Sequence, residues 1–404
     1  MKILILSMQK LGDVLHSSFL IQRIRQMYPM AQISLLINDE ANVVDGLLPE
    51  VDSILVFPRT LLQRQLTGQS NHLALPFHHL KSFIDELNSN NFDICFNLTF
   101  TLLSSKLFDV IQAKEKKGIG FSESKYLTRA NGWFKYLNEI AMSDRQPDFL
   151  YLDCISHAIF KNRQNAITAN KAKAIDKNGP IVFQITAGDK RKELPTPFWK
   201  QLFEKIELLK QKLELKNEII ILSSAKEYNT LITNFPNASL LGQVISCNLV
   251  EAKTILSKAS LLVGLDTSIS HLAALVNCPQ IMLSLGPAQP KKIAPYLEGV
   301  KHLLPKANCF PCSHNGVCHQ ETQVCANRID VNELLIFIQS YLFGGSLSKE
   351  FQTFEVQESY ADQFGLYITK RDHFSRVREE QKRRNLFFHL TNNIPLRKFY
   401  EEQI

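Results

Sequence analysis

The chain has 404 residues, more than a single hydrophobic core usually supports, so two domains are expected. With 45% hydrophobic and 21% charged residues, its composition is that of an ordinary soluble globular protein. No apolar run approaches the ~18 residues of a transmembrane helix, no cleavage site follows the N-terminal apolar run, and the modest +7 charge is not accompanied by a nucleic-acid-binding motif; a cytoplasmic protein without a nucleic-acid partner is expected.

In chain order, strand-like runs at Lys2 to Ser7, Gln32 to Ile37, Ser53 to Phe57 and Asp93 to Leu98 alternate with helical patterns such as Ser18 to Met27 and Leu80 to Asn88. This alternation predicts a mostly parallel sheet covered on both faces. After the first strand comes Leu11-Gly12-Asp13-Val14-Leu15-His16, read as a turn containing glycine and a helix starting near Asp13. From Lys125 to Asn170 the pattern weakens, and Asn131-Gly132 and Ser143 to Pro147 read as mobile connections; Lys171 to Gly179 reads as a linker.

A second series begins at Pro180. Strands are predicted at Ile181 to Ile185, Glu218 to Leu222 and Leu261 to Leu265, and helices at Pro197 to Leu215 and Ala225 to Thr233, with Leu240 to Gly242 and Val250 to Lys258 continuing the series. Two doubly wound domains in series place ligands in a cleft at the carboxyl ends of their strands. The stretch Ser260 to Ala274 is the most informative: a buried strand, then Asp266, Thr267 and Ser268 where a helix should begin, with a further strand at Gln280 to Leu285. Those three residues suit helix capping, and the unpaired N–H groups of such an end attract a phosphate.

Four of the eight cysteines cluster as Cys309, Cys312, Cys318 and Cys325, with His314 and His319 among them. In a cytoplasmic protein this spacing favours a structural zinc or iron ion, with free thiols and disulfides as the alternatives. Between Lys370 and Arg384 stand seven Lys or Arg against three acids. A solvated helix face is the ordinary reading, and peripheral contact with an anionic membrane surface or an acidic acceptor is the functional one.

Taken together, Leu11 to His16, Asp93 to Leu98, Lys192-Glu193-Leu194-Pro195, Glu227, and Gly264 to Ala274 followed by Leu285-Gly286-Pro287 resemble glycosyltransferase family 9, the ADP-heptose:lipopolysaccharide heptosyltransferases. The resemblance covers roughly Met1 to Asp330. It implies an α/β protein of GT-B fold, with two Rossmann-like doubly wound domains facing a central cleft: residues 1–170 for the acceptor, 180–345 for the nucleotide sugar with the cysteine cluster at 309–325, and a basic C-terminal extension at 346–404.

The resemblance also implies roles. Asp13, beside Gly12, matches the catalytic aspartate that takes the proton from the acceptor hydroxyl; helix capping is its ordinary role. Lys192 matches a lysine that neutralises the departing diphosphate, where a surface lysine would be the default. Asp266, Thr267 and Ser268 match an Asp-Thr-Gly phosphate cradle with serine at the third position, and His271 matches the histidine beyond it. Thr186 and Gly188 are expected beside the same phosphates, and Glu227 matches an acid that holds the ribose hydroxyls, although the usual glycine near it is absent.

The implied reaction is an inverting transfer of heptose from an ADP-heptose donor to the lipopolysaccharide inner core at the cytoplasmic face of the inner membrane. The resemblance implies a transferase that needs no catalytic metal, and the absence of an Asp-x-Asp motif near the cleft fits this. A protein hydroxyl as acceptor and a non-catalytic nucleotide- or glycan-binding scaffold of the same fold are the alternatives, and an oligomer is compatible with either. Neither first turn carries the Gly-x-Gly-x-x-Gly of a Rossmann dehydrogenase.

Overall fold

The computed structural model describes the whole chain except residues 68–73, 122–129, 143–144, 161–165, 215, 236–242, 314–315, 345–349 and 402–404. Two compact units divide it: Met1–Ile167 together with Lys382–Ile404, and Thr168–Gln381. Among the described residues, no helix is long and apolar enough to cross a membrane.

The first unit holds a parallel sheet of β1 (Lys2–Leu6), β2 (Gln32–Asn38), β3 (Ser53–Phe57), β4 (Phe92–Asn97) and β5 (Ala113–Lys117) in the order β3-β2-β1-β4-β5. Central β1 is buried from Ile3 to Leu6 because helices cover both faces of such a sheet. At the edge, β5 reads Ala-Lys-Glu-Lys-Lys, and those charges blunt an otherwise open row of backbone groups. The helix after β1 runs Leu11–Met27 and opens at Lys10, two residues earlier than the sequence pattern suggests, so Gly12 and Asp13 lie in its first turn.

A helix, Gly132–Met142, replaces the mobile connection expected at Asn131-Gly132. Asn131 explains it, since its side-chain oxygen accepts from the Phe134 N–H (3.1 Å) and its amide donates to the Ala158 carbonyl (3.2 Å), which caps and anchors the helix start. Of the connection expected at Ser143 to Pro147, residues 143–144 lie outside the described residues, and 145–147 form no regular element.

In the second unit, β7 (Ile181–Gln184), β8 (Ile219–Ser223), β9 (Gln243–Ser246), β10 (Leu261–Leu265), β11 (Gln280–Leu283) and β13 (Lys301–Pro305) pair in parallel. An antiparallel hairpin, β14 (Phe354–Asp362) and β15 (Gly365–Lys370), extends this sheet, giving the order β15-β14-β13-β11-β10-β7-β8-β9 among the described residues. Phe183, Trp199, Leu202, Phe203, Val263 and Phe337 are among the side chains that fill its core. The expected linker at Lys171 to Gly179 is tied down: its first residue ends the short strand β6 (Asn170–Lys171), paired with β12 (Leu297–Glu298), and the Lys173 N–H donates to the Asn277 carbonyl. The expected element at Leu240 to Gly242 lies outside the described residues.

The basic run near the C-terminus is largely committed inside the protein. Lys370 pairs with Glu355 (2.9 Å) and Arg371 with Glu358 (3.2 Å), while Arg376 lies over the Tyr360 ring at 4.4 Å. Within the first unit, Lys382 pairs with Asp148 at 2.5 Å, and the fully buried Arg383 stacks on Phe149 and donates to the Asp148 carbonyl. Phe387 packs against Trp133 and His157, whereas Phe374 and Phe388 remain exposed.

Candidate active site

In each parallel sheet the strand order reverses direction at one point, where loops leaving adjacent strands diverge and open a crevice. These points are β1/β4 in the first unit and β7/β10 in the second.

At the β1/β4 point the crevice is lined by neutral polar groups. The Met8 N–H donates to Thr99 Oγ1 (2.8 Å), Asn38 donates to the Met8 carbonyl (2.9 Å), and Ser7 and Ser17 share a hydroxyl hydrogen bond of 2.8 Å. Asp13 stands in the first helical turn, where the helix dipole favours a carboxylate. Lys10 occupies the N-cap position, and Asp13 is the third residue of the helix.

Tyr151, which sequence reasoning missed, is the other feature of this crevice. Its hydroxyl donates to the Leu98 carbonyl (3.1 Å) and accepts from the Phe100 N–H (2.8 Å), fixing the loop that leaves β4. Burial pushes the phenol well above its ordinary range, and the charge of nearby Asp13 adds to the effect. Tyr151 therefore stays protonated beside Asp13.

At the β7/β10 point the chemistry is ionic. Lys192 Nζ reaches the Asp266 carboxylate at 2.5 Å and the Asp266 carbonyl at 3.3 Å, and both side chains are about 15% exposed. Thr267, rather than Asp266 or Ser268, caps the helix Ser268–Leu275, accepting from the Ile269 N–H at 3.3 Å. Its hydroxyl also faces Gln184 Oε1 (3.4 Å), while the Gln184 amide donates to the Thr186 carbonyl. Gln184 thus links the loops after β7 and β10, a role that its place inside an apolar strand hides.

His271 is buried on that helix. Burial lowers its pKa to about 4; Asp266 works against this shift and Lys192 with it. The imidazole is therefore neutral at pH 7. The site joins one ammonium, one carboxylate, a neutral imidazole and a helix N-terminus, an end that favours an anion.

Glu227 stands at the neighbouring carboxyl end of β8. Its carboxylate accepts from the Ser224 N–H (3.1 Å) and Ser224 Oγ (2.5 Å), a capping arrangement. Burial raises its pKa, but hydrogen bonds from Ser224 and Thr186 outweigh burial and hold it below the usual glutamate value. Thr186 thereby connects Glu227 to the Lys192 loop, and a side chain built at Gly188 would meet only open space. The structure thus gathers Thr186, Gly188, Lys192, Glu227, Asp266, Thr267, Ser268 and His271 along one edge of the second sheet. Gly12 and Asp13 belong to the first unit.

The cysteine cluster lies beside this edge. Burial raises the Cys312 thiol, and the charges of Cys325, Cys318 and Cys309 raise it further, so the four sulfurs share one neighbourhood as free thiols. Among the described residues, no three His, Cys, Asp or Glu side chains are arranged to hold a metal ion. His314 lies outside the described residues. Elsewhere, Cys95 and Cys278 are buried with thiols pushed up to about 12, and burial raises the Cys154 thiol well above its ordinary value.

Among curated proteins, none matches this chain by sequence. Among solved structures, E. coli ADP-heptose lps heptosyltransferase II is similar at 14% identity, covering 85% of this chain and 99% of its own, with a TM-score of 0.59. E. coli heptosyltransferase WaaC with ADP is similar at 17% identity, covering 84% and 99%, with a TM-score of 0.54. At such identities the likeness is one of fold, and it agrees with two parallel α/β sheets of the GT-B kind. Residues 80–322, more than half of the chain, match Glycosyltransferase family 9 (heptosyltransferase); the chain belongs to that family and is a glycosyltransferase.

Proposed function

We propose that the protein transfers heptose from ADP-heptose to the inner core of lipopolysaccharide with inversion at the anomeric carbon. The observation that carries this reading is the Lys192–Asp266 pair, set beside a neutral His271 and a helix N-terminus at the β7/β10 point. One side of a diphosphate would meet the backbone amides of Thr267 and Ser268, and the other would meet the Lys192 ammonium, which exchanges part of its contact with Asp266 for phosphate oxygen. A buried imidazole that stays neutral offers a hydrogen bond without adding charge. Glu227 and Thr186 are assigned to the ribose, Gly188 leaves room for the phosphates, and Gly12 is assigned a role in donor binding.

In the transfer step, the acceptor hydroxyl oxygen bonds to the anomeric carbon as the bond from that carbon to the diphosphate oxygen breaks. Asp13 takes the hydroxyl proton, and the electron pair leaves with ADP, whose charge is met by Lys192. No step draws on a metal. At the cysteine cluster we assign a structural zinc or iron ion held by Cys309, Cys312, Cys318 and Cys325, whose thiols would close in on binding. Metal analysis of untagged protein should find close to one ion per chain, lost in Cys309→Ser/Cys312→Ser; fully folded, metal-free parent protein would remove the assignment.

Exposed Phe374 and Phe388 and the basic helix around them suit peripheral contact with an anionic inner-membrane surface, where a lipid acceptor resides. The functional test offers ADP-heptose with heptose-deficient lipopolysaccharide and, in a parallel arm, with a protein acceptor. Release of ADP coupled to heptosylated lipopolysaccharide is expected. Product in the protein arm alone would move the acceptor assignment to a protein hydroxyl, and turnover with neither would leave a nucleotide-binding scaffold.

A further inference from the structure

The loop that carries Lys192 is fastened to the cysteine segment on both sides of the contact. Asp189 Oδ1 accepts from the Arg191 N–H (3.0 Å), and its carboxylate takes the Arg191 guanidinium at 2.6 Å through Nη2. The remaining face of that guanidinium points the other way: Nη1 donates to the carbonyls of Ser313 (3.0 Å) and Gly316 (2.5 Å). Gln323 donates to the Lys190 carbonyl (2.8 Å), and the Cys312 N–H donates to the Gly286 carbonyl (2.9 Å). Gly286 has a φ of +56°, and a Cβ there would stand 2.6 Å from the Arg191 carbonyl oxygen, so any side chain at 286 would push the loop away.

The residues giving these contacts, 312, 313, 316 and 323, interleave with Cys309, Cys312, Cys318 and Cys325. The two residues held, Lys190 and Arg191, immediately precede Lys192. We infer that Arg191 is a positioning residue, and that the cysteine segment acts through it to set where the Lys192 ammonium stands and so how tightly the donor diphosphate is held. A guanidinium suits the task because its planar fork binds a carboxylate and two carbonyls at once, which a lysine ammonium at the same place does not reproduce. The inference rests on the reading that Lys192 meets the diphosphate.

The experiment measures ADP and adenosine binding to the full-length parent, Lys192→Ala, Arg191→Gln, Arg191→Lys and Cys309→Ser/Cys312→Ser. The expected result is ADP weakened on the order of 10-fold in every variant, the scale of losing charge-assisted hydrogen bonds, with adenosine binding unchanged. Full rescue by Arg191→Lys would mean that Arg191 acts by its charge on the phosphates, and would overturn positioning. Unchanged ADP affinity in the cysteine variant would overturn the coupling, and equal loss of ADP and adenosine in the Arg191 or cysteine variants would show general loosening instead. If Lys192→Ala binds ADP like the parent, the diphosphate reading itself fails, an outcome separable from all of these.

Discussion

The two strand-order reversal points share a topology and differ in chemistry. At β1/β4 the Asp13 carboxylate stands in a first helical turn, near neutral hydroxyl and amide groups that are already paired with one another and with the backbone. At β7/β10 an ammonium, a carboxylate and a neutral imidazole meet a helix N-terminus. The first arrangement suits accepting a proton from an uncharged hydroxyl, and the second suits holding an anion that gains charge as it leaves. On the proposed function, side chains at four or five positions divide the labour between these two points.

The comparison breaks most visibly at Asp13. Asp13→Asn should lower turnover on the order of 10²-fold or more, the usual range for loss of a general base, while leaving the fold intact. A variant with parental kcat would remove Asp13 from proton transfer.

Next in size is the response to acid in the second unit. His271 has a pKa of about 4 in the fold and 6.5 as a free side chain, so the unfolded chain binds the extra proton between those values. Its contribution is complete above pH 6.5 and is lost as pH falls through 4, amounting to roughly 3 kcal/mol. His302, lowered to about 3 by burial and then by Lys301, acts in the same direction. Urea unfolding from pH 7 to pH 4 should show this decline, and the His271 ring signals should titrate near 4. Titration near 6.5 would place the imidazole in water.

Tyr151→Phe removes one hydroxyl that serves both the Leu98 carbonyl and the Phe100 N–H, and should cost about 1–3 kcal/mol of stability. Its effect on ADP binding should be nil, because the crevice it supports is not the anionic one. Smallest of all, Arg378→Gln/Arg384→Gln should weaken binding to anionic vesicles by roughly 1 kcal/mol per charge. Binding that does not change with these charges would remove the basic helix from any membrane contact.

The alternation of strands and helices made the central strands of both sheets legible in the sequence, because buried parallel strands read as short apolar runs, whereas charged β5, β13 and the hairpin β14/β15 were not. At the β7/β10 point, the strand–turn–helix pattern singled out Asp266 and Thr267, and the resemblance to family 9 added Lys192 and His271. Tyr151 and Arg191 were not. Each acts through backbone groups far away in the chain, and Tyr151 falls in the stretch from 125 to 170 where periodicity fades. The helix at Gly132 was hidden because Asn-Gly signals a turn, whereas here Asn131 caps the helix beside it. Likewise, the basic run from Lys370 looked solvated, because its partners Glu355, Glu358 and Asp148 are set by sheet pairing and tertiary packing rather than by neighbours in sequence.

The division of labour is tested most directly by titrating ADP into Asp13→Asn and Lys192→Ala side by side. The account predicts parental affinity in Asp13→Asn and a loss on the order of 10-fold in Lys192→Ala. Loss of ADP affinity in Asp13→Asn, or parental affinity in Lys192→Ala, would contradict it.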